Sequence, residues 1–386
     1  MKRFCIIGIL QLLCWSIQAQ SYCNSIGMDN INKRQVKNWV VGPFIRPLGV
    51  NPVLCPEPTA FHCPMTKQPV KWEESDVFNP AATVRGDKIV VLYRAEDNSA
   101  QGIGKRTSRI GYAESTDGIR FKRYKSPVLF PAVDGFENLE WPGGCEDPRV
   151  AMTEEGEYVM LYTSWNRKVP RLAVATSKDL KHWTKHGLAF GEAYNGRFSN
   201  MASKSASILT KLENDKIVID KVGGKYFMYW GEYAVYAATS DNLIDWYPVL
   251  DGNNELKKLA KPRRGYFDSQ MTECGPPAIR TKNGIVLFYN GKNNPGEKGD
   301  TAYNAGAYCG GQILFDNNDP YKVLDRLDKP FFVPEADFEK SGQYVNGTVF
   351  IEGLTYYKKK LYLYYGCADS RVAVTICSDT EKLNYK

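Results

Sequence analysis

The sequence predicts an all-β protein, a five-bladed β-propeller with a central funnel, and two observations carry that prediction. An apolar strand that ends near a tyrosine recurs through the chain at a spacing of roughly 60 to 75 residues, which is a propeller-like period. The strands of this repeat are 89–93, 159–162, 226–229, 285–289 and 361–364. They are short and rich in aromatic and β-branched residues, turn residues separate them, and long helical periodicity is lacking. A β-sandwich, the rival architecture, does not explain recurrence at near-constant spacing.

Each repeat is predicted to hold four strands. A proline or glycine step precedes most of the apolar strands, and the steps are Asn79-Pro80, Asp147-Pro148, Gly275-Pro276 and Asn346-Gly347. A polar tail followed by an aromatic residue closes three repeats, at 115–121, 177–183 and 240–246, and 377–383 is a degenerate copy. This order describes a propeller blade whose innermost strand lines the funnel. Because proline disfavours helical backbone in the residue before it, we expect Asp147 to be extended and Pro148 to begin an edge strand.

The chain of 386 residues is predicted to form one propeller domain, residues 78–386, after an N-terminal lead-in, residues 21–77. The repeat fills this domain without a linker, so the length does not require a second one. Residues 1–20 combine Lys2 and Arg3 with an apolar core and the small residue Ala19. That pattern is typical of a secretory signal and is too short for a membrane span. We therefore expect an exported, soluble periplasmic protein and rank a surface lipoprotein below it.

Composition argues against nucleic acid, metal and cofactor as partners. The net charge of +7 is spread along the chain, which does not suit nucleic acid. The three histidines lie outside the proline and glycine steps, and the ten cysteines lack metal-ligand spacing, so neither a histidine-based triad nor a zinc site is expected. Cys55 and Cys63 are close enough in sequence to pair, while buried free thiols are as good an interpretation of the later cysteines. The oligomeric state is left open.

Carboxylates recur near strand ends, and the propeller prediction brings them to one end of its axis. They are Asp97, Glu146, Asp147, Glu232, Asp268, Glu273 and Asp369. Aromatic residues make up 13% of the chain, and several, such as Trp230 and Tyr365, lie beside these acids. Sugars have apolar faces and hydroxyl rims, so rings and acids together suit a sugar site. Cleavage of a glycosidic bond needs two acids in opposed ionisation states, and this set offers more than two.

The segment 144–149, Gly-Cys-Glu-Asp-Pro-Arg, resembles the signature of glycoside hydrolase family 130, the mannoside phosphorylases and β-mannosidases. Further blocks resemble that family in the same order, at 78–81, 92–95, 108–115, 275–277 and 364–369. The resemblance covers essentially the whole chain from Asn79 onward. It implies a five-bladed propeller, in agreement with the repeat.

The resemblance also implies roles for individual residues. Asp147 takes the place of the acid in an inverting mechanism, in which the proton passes through the mannose 3-hydroxyl. The family positions that grip the terminal mannose are Asn79, Arg94, Arg109, Arg149, Asp268 and Asp369. The predicted substrate-binding set further includes Asp97, Glu146, Asn166, Arg171 and Tyr365. Guanidinium forks suit such networks of hydroxyls and carboxylates.

The attacking group separates the two branches of the family. Glu273 stands where phosphorylases typically show a small residue, and Glu232 is a second acid of this kind. Carboxylates repel phosphate but take a proton from water, so both point to hydrolysis, and the choice of base between them stays open. Arg167, Lys168 and Arg171 stand where phosphorylases bind phosphate and are the counter-signal.

The sequence therefore favours an exported, exo-acting, inverting β-mannosidase for β-1,2-linked mannose, with the linkage resting on the resemblance alone. The alternative within the family is a β-mannoside phosphorylase that releases mannose 1-phosphate. An alternative of another class is a non-catalytic glycan-binding propeller, which keeps the funnel but needs no acid.

Overall fold

The computed structural model describes residues 37–383, so the predicted signal at 1–20 and the first part of the lead-in lie outside the described residues. Residues 41–383 form an all-β fold, which confirms the predicted class. Its helical segments are short: α1 (Glu137–Glu140) and the 3-10 turns Gly296–Lys298, Asp337–Glu339 and Glu381–Leu383. None of the helices within 37–383 is long and apolar enough to cross a membrane.

Antiparallel runs of strands follow one another along the chain. A hairpin comes first, β1 (Ala60–Cys63) and β2 (Gln68–Lys71). The next run is β3 (Asp76–Arg85), β4 (Lys88–Glu96), β5 (Ser108–Ser115) and β6 (Lys122–Arg123). It is followed by β7 (Gly144–Met152), β8 (Tyr158–Trp165), β9 (Pro170–Ser177) and β10 (Thr184–Leu188). A short parallel contact between β5 and β7 joins these two runs into one eight-stranded sheet.

The second half of the chain repeats this organisation. One run is β11 (Ala206–Glu213), β12 (Lys216–Ile219), β13 (Lys221–Val222), β14 (Lys225–Trp230), β15 (Tyr236–Ser240) and β16 (Trp246–Pro248). The next is β17 (Met271–Cys274), β18 (Ala278–Thr281), β19 (Gly284–Lys292), β20 (Tyr308–Phe315) and β21 (Val323–Arg326). The last is β22 (Val349–Tyr357), β23 (Lys360–Cys367) and β24 (Arg371–Cys377). Parallel pairing of β11 with β18 joins the first two of these runs into an eleven-stranded sheet, and β22–β24 form a three-stranded sheet.

The five predicted apolar strands lie within β4, β8, β14, β19 and β23. The strands that begin the runs are buried as well: every residue of β7 and β22 is buried, and so is all of β3 except Arg85. These first strands carry polar residues among apolar ones. Because a buried polar group needs a partner, they are where a site is to be sought.

The recurrent polar tail is a side-chain-capped turn that leads from the third strand of a run to its outer strand. Ser177 Oγ accepts a hydrogen bond from Leu180 N–H at 2.8 Å, and the indole of Trp183 donates to the Leu180 carbonyl at 3.1 Å. The copy at 240–246 repeats both contacts. Serine and aspartate hydroxyl or carboxyl groups replace a backbone acceptor in such turns, which explains why the pattern recurs.

The described part of the lead-in pairs with the last run. Ile45 bridges Ile376, and Leu54 bridges Val372. The chain before β1 therefore runs beside β24, the edge strand of its sheet, and supplies its outer neighbour.

The cysteines of the described residues form no disulfide. Cys55 is exposed, whereas Cys63 is buried, and the Sγ of Cys63 accepts a hydrogen bond from Arg109 Nη2 at 3.7 Å. The pairing that the spacing of Cys55 and Cys63 allowed is thus absent from the structure.

Three of the first strands carry a β-bulge at their fourth residue. The bulge residues are Asn79 in β3, Asp147 in β7 and Glu352 in β22. Asn79 and Asp147 have left-handed backbone, with φ of 45° and 48°. The expectation of an extended Asp147 before an edge strand was therefore wrong: Pro148 lies inside β7, which pairs with β8 and contacts β5. A bulge redirects a side chain out of the ladder, and this one turns Asp147 towards Asn79.

Candidate active site

A cavity of about 320 Å³ opens where the first strands of the runs come together. Its carboxylates are Glu96, Asp147, Glu232, Glu273 and Asp369. Its cations are Arg94, Lys204 and Lys292, and its aromatic residues are Phe78, Tyr308, Tyr344 and Phe350. Of the predicted site residues, the cavity thus brings together Asp147, Glu232, Glu273, Asn79, Arg94 and Asp369.

Asp147 is held on several sides. Its Oδ1 accepts hydrogen bonds from Asn79 Nδ2 at 2.9 Å and from Arg94 Nη1 at 3.0 Å, and its Oδ2 lies 3.3 Å from Lys204 Nζ. Burial raises the pKa of Asp147, but the charges of Lys204, Arg94 and Arg149 outweigh burial and hold that pKa below its usual range. In this structure Asp147 is therefore an ionised carboxylate at neutral pH.

Glu232 and Glu273 are joined through their backbones. Thr272 N–H donates to the Glu232 carbonyl at 3.2 Å, and Cys274 N–H donates to the Gly231 carbonyl at 3.0 Å. The loop after β14 is thereby attached to β17, which carries Glu273. The sequence prediction that these two acids come together is consistent with this geometry.

Glu273 has the ionisation of a base that works near neutral pH. Its Oε1 accepts a hydrogen bond from Ser205 Oγ at 2.5 Å. Burial raises the pKa of Glu273 to about 7, with Lys204 opposing the rise and Glu232 adding to it. A carboxyl whose pKa lies near the working pH exchanges protons efficiently with water.

Lys204 is a cavity residue that the sequence patterns missed. It lies in the loop that precedes β11, far from every motif, and is flanked by Ser205, whose φ is 60°. Burial lowers the pKa of Lys204, but the nearby charges of Asp147 and Glu273 outweigh burial and raise it above the ordinary value. The position of Lys204 in the repeat is the signal that could have identified it. Lys204 lies near the start of the first strand of its run, as do the cavity residues Asn79 in β3 and Asp147 in β7.

Arg94 connects Asp147 to two further acids. Its Nη2 donates to Glu96 Oε1 at 2.6 Å and to Glu146 Oε1 at 2.8 Å. Glu146 lies behind Arg94 and does not line the cavity, whereas Glu96, which sequence reasoning did not select, does. Burial raises the pKa of Glu146 to about 7, with Arg94 opposing the rise and Asp147 adding to it.

Asp369 completes the charged lining from the end of β23. The φ of Asp369 is 51°, and Ala368 before it also has left-handed backbone. The Asp369 carbonyl accepts a hydrogen bond from Gln343 Nε2 at 3.0 Å. Burial raises the pKa of Asp369 to about 7; the charge of Arg94 opposes this rise, and the charge of Asp147 adds to it. Asp147 is therefore ionised at neutral pH, whereas Glu273 and Asp369, each with a pKa of about 7, are partly protonated.

Several predicted substrate-binding residues do not line the cavity and are paired within the protein. Asp97 accepts from Arg109 Nη1 at 2.7 Å. Asp268 is fully buried and lies 2.9 Å from Arg263 and 2.6 Å from Arg326. Their part in binding a sugar stays a prediction.

The other predicted residues away from the cavity are also held by contacts within the protein. Asn166 accepts hydrogen bonds from the backbone of the turn that follows it, and Arg171 Nη1 donates to Asn200 at 3.5 Å. Tyr365 donates from its hydroxyl to Glu339 at 2.8 Å. Arg149 is buried among backbone carbonyls.

The aromatic lining also differs from the residues that the sequence drew attention to. Trp230 packs against Phe190 and Tyr236, with ring centroids 4.7 and 4.8 Å away, and so belongs to the core. The rings at the cavity instead include Tyr308 and Tyr344, which pack edge to face.

An all-β fold with a cavity lined by carboxylates, cations and aromatic rings suits a carbohydrate-active protein. The chain belongs to glycoside hydrolase family 130: the family model described as beta-1,4-mannooligosaccharide phosphorylase matches residues 53–385. The resemblance found in the sequence is thereby confirmed.

The similar proteins include phosphorylases and hydrolases. The 1,2-beta-oligomannan phosphorylase of Thermoanaerobacter sp. (strain X514) is 32% identical over 317 residues, 81% of this chain and 93% of the relative. A crystal structure from Bacteroides ovatus ATCC 8483 is 73% identical, with a TM-score of 0.87 over 90% of this chain and 100% of that chain. Another structure, 61% identical with a TM-score of 0.87 over 88% of this chain and 94% of that chain, is described with the family 130 glycoside hydrolases that target beta-1,2 mannosidic linkages in Candida mannan. Membership therefore leaves the attacking group to be argued from the site.

Proposed function

We propose that this protein is an exported, exo-acting, inverting β-mannosidase that hydrolyses terminal β-1,2-linked mannose. The observation that carries the proposal is that Glu232 and Glu273 line the same cavity as Asp147. The β-1,2 linkage is supported by the 61% identical structure described with hydrolases of that specificity. Export rests on the sequence of residues 1–20 alone.

The proposed architecture is a five-bladed propeller with the cavity on its axis. The antiparallel runs that begin at β3, β7, β11, β17 and β22 would be the blades, and the bulges of β3, β7 and β22 would face the axis. The pairing of the lead-in with β24 would close the last blade. A cavity of about 320 Å³ suits the end of a glycan better than a long chain, which supports exo action.

In the proposed reaction, Glu273 removes a proton from a water molecule while the oxygen of that water forms a bond to the anomeric carbon. The bond from that carbon to the leaving oxygen breaks on the opposite face of the sugar, so the configuration inverts. The leaving oxygen takes the proton of the mannose 3-hydroxyl, and Asp147 gives its proton to that hydroxyl. Solvent then restores the proton to Asp147 and removes the one on Glu273.

The distribution of protons in the cavity shapes this proposal. Because Asp147 has a low pKa and Glu273 a pKa of about 7, the two groups share one proton below about pH 7, and it rests on Glu273. The reactive arrangement also holds one proton on this pair, but there the proton is on Asp147 and Glu273 is ionised. Catalysis therefore passes through a minor protonation state.

Phosphorolysis is the second candidate, and two observations favour it. The curated relatives at 32% and 30% identity are phosphorylases, and Lys204 and Lys292 lie in the cavity with Arg94. Against it, the ionised carboxylate of Asp147 would repel a phosphate dianion in the same cavity. The counter-signal in the sequence is also weakened, since Arg167 and Lys168 are exposed and do not line the cavity.

The test is an assay of phosphate dependence. The enzyme is incubated with β-1,2-mannobiose and, separately, β-1,4-mannobiose, with and without inorganic phosphate. We expect mannose from the β-1,2 substrate at the same rate in both buffers. Formation of mannose 1-phosphate only when phosphate is present would replace hydrolysis by phosphorolysis.

The same assay addresses the glycan-binding alternative. Asp147→Asn keeps the shape of the side chain but removes the acid, so turnover is expected to be lost while sugar binding by calorimetry remains. Binding by the wild-type protein without turnover of either substrate would favour a non-catalytic propeller.

A further inference from the structure

Glu352 is a buried carboxyl that the reaction above does not use. Its side chain is 0% exposed, and neither of its carboxyl oxygens forms a hydrogen bond within the described residues. Its Oε1 lies 3.3 Å from Arg149 Nη1, without the geometry of a hydrogen bond. A carboxyl in such a position costs stability, so its presence beside Arg149, two residues from the cavity residue Phe350, suggests a functional reason.

Arg149, the neighbour of Glu352, joins the two halves of the proposed reaction. Its Nη1 donates to the Asp147 carbonyl at 3.0 Å, and its Nη2 donates to the Cys274 carbonyl at 3.1 Å. Asp147 is the proposed acid on β7, and Cys274 follows Glu273, the proposed base, on β17. One guanidinium therefore fixes the backbone of the acid relative to the backbone of the base.

Glu352 reaches Arg149 because of the bulge in β22. The register of β22 with β23 shifts between Ile351 and Gly353. Asn290 holds the residue before the bulge from both sides: its Nδ2 donates to the Ile351 carbonyl at 3.0 Å, and its Oδ1 accepts from Ile351 N–H at 2.8 Å. The Glu352 side chain is thus placed by backbone contacts that are independent of its own carboxyl.

The charges around Glu352 favour its neutral form. Burial raises the pKa of Glu352 well above its ordinary value; Arg149 and Lys204 oppose the rise, and Asp147 and Glu273 add to it. A neutral carboxyl leaves the positive charge of Arg149 uncancelled, and its oxygen can still face the guanidinium.

We propose that Glu352 is a positioning residue for the reaction: through Arg149 it holds Asp147 and Glu273 at the separation that proton transfer and water attack require. This inference rests on the proposed function, because it takes those two residues as acid and base. A misplacement of about 1 Å in such a pair can cost about 100-fold in rate.

The test compares two substitutions of Glu352. Glu352→Met removes the oxygen that faces Arg149 at similar volume, and Glu352→Gln keeps an oxygen without a charge. We expect Glu352→Met to lower kcat about 10-fold or more while KM stays within about threefold of wild type. Glu352→Gln should keep kcat within about threefold of wild type. Because Glu352→Met removes a buried carboxyl without hydrogen bonds, its Tm should not fall.

The matched control is Glu140, another buried carboxyl, which accepts hydrogen bonds from Tyr162 at 2.7 Å and Lys185 at 2.6 Å and does not line the cavity. Glu140→Gln should lower Tm and leave kcat unchanged. The positioning role would be overturned by wild-type kcat in Glu352→Met, by equal losses of kcat in the Met and Gln variants, or by a loss of kcat that follows a fall in Tm.

The two proposals fail in different ways. A wild-type enzyme that needs phosphate, or has no turnover, removes the proposed function and with it this role for Glu352. An active wild-type enzyme with indifferent Glu352 variants removes the positioning role alone.

Discussion

The charge of the Lys204 ammonium group lowers the pKa values of several carboxyl groups at once. It lies 3.3 Å from Asp147, lowers the pKa of that residue and opposes the raised pKa of Glu273. The acid and the base of the proposed reaction therefore share one cation. Their proton affinities are coupled through it, and a change at either should be felt at the other.

Removal of the base tests the roles of individual residues. Glu273→Gln and Glu232→Gln keep size and hydrogen bonding but cannot accept a proton from water. We expect Glu273→Gln to give the larger loss, about 100- to 10,000-fold in kcat with an unchanged folding transition, measured on β-1,2-mannobiose. The control is the same substitution, Glu255→Gln, at a surface carboxylate whose side chain is 73% exposed. Wild-type rates in both variants would remove the proposed base.

The pH dependence of kcat/KM tests the shared proton. The free enzyme holds one proton on the Asp147 and Glu273 pair below about pH 7 and none above, since Glu273 has a pKa of about 7 and Asp147 a low one. The reactive arrangement also has one proton. Therefore kcat/KM should be flat on the acid side of pH 7 and fall about tenfold per pH unit above it.

In Glu273→Gln the only remaining requirement is a protonated Asp147, whose pKa is low, so the flat part should disappear and kcat/KM should already fall with rising pH below pH 7. A wild-type profile that instead rises from acid pH towards 7 would mean that the base must lose its proton while the acid keeps its own. In that case the low pKa of Asp147 would not apply to the working enzyme.

At the scale of elements, bulged first strands build the site. The bulge of β3 carries Asn79, and Gly366 of β23 packs against it so closely that a Cβ at 366 would overlap Asn79 Oδ1. Asn79 in turn donates to Asp147 at 2.9 Å. The position of the proposed acid thus depends on a glycine in a strand remote in sequence.

Gly366→Ala tests this dependence. We expect a loss of about 1–3 kcal/mol in the free energy of unfolding, measured by urea denaturation, and a lower kcat because Asn79 must move. Gly252→Ala is the control, since a Cβ at 252 meets nothing within 4 Å. Unchanged stability and kcat in Gly366→Ala would contradict the packing described for the bulge.

The sequence could predict strands and acids better than their spatial relations. Periodicity and turn chemistry located the apolar strands, and carboxylates at strand ends led to Asp147, Glu232 and Glu273. Lys204 carries no local pattern, because its importance arises from carboxylates on other strands. Asp268 was expected at the cavity but lies in the turn before β17, where it pairs with Arg263 and with Arg326, a residue remote in sequence whose proximity no local pattern shows.

At the scale of the whole molecule, raised carboxyl pKa values link stability to pH. Glu146, Glu273 and Asp369 each have a pKa of about 7 in the fold, against about 4 in an unfolded chain. The folded state holds these protons more tightly, so their contribution to stability is complete below about pH 4 and is lost as pH rises through about 7.

We therefore expect Tm to fall between about pH 5 and pH 8, followed by scanning calorimetry. Asp369→Asn cannot ionise and should reduce this slope. A Tm that rises over the same range, or a slope unaffected by Asp369→Asn, would contradict the raised pKa values.

The central claim, that water is the attacking group, is tested most directly by the fate of an oxygen isotope. The enzyme is allowed to cleave β-1,2-mannobiose in ¹⁸O-labelled water that contains saturating inorganic phosphate, and the products are analysed by mass spectrometry at early times. The account predicts mannose from the non-reducing end with one ¹⁸O and no mannose 1-phosphate. Mannose 1-phosphate as the main product, without ¹⁸O in the sugar, would contradict it.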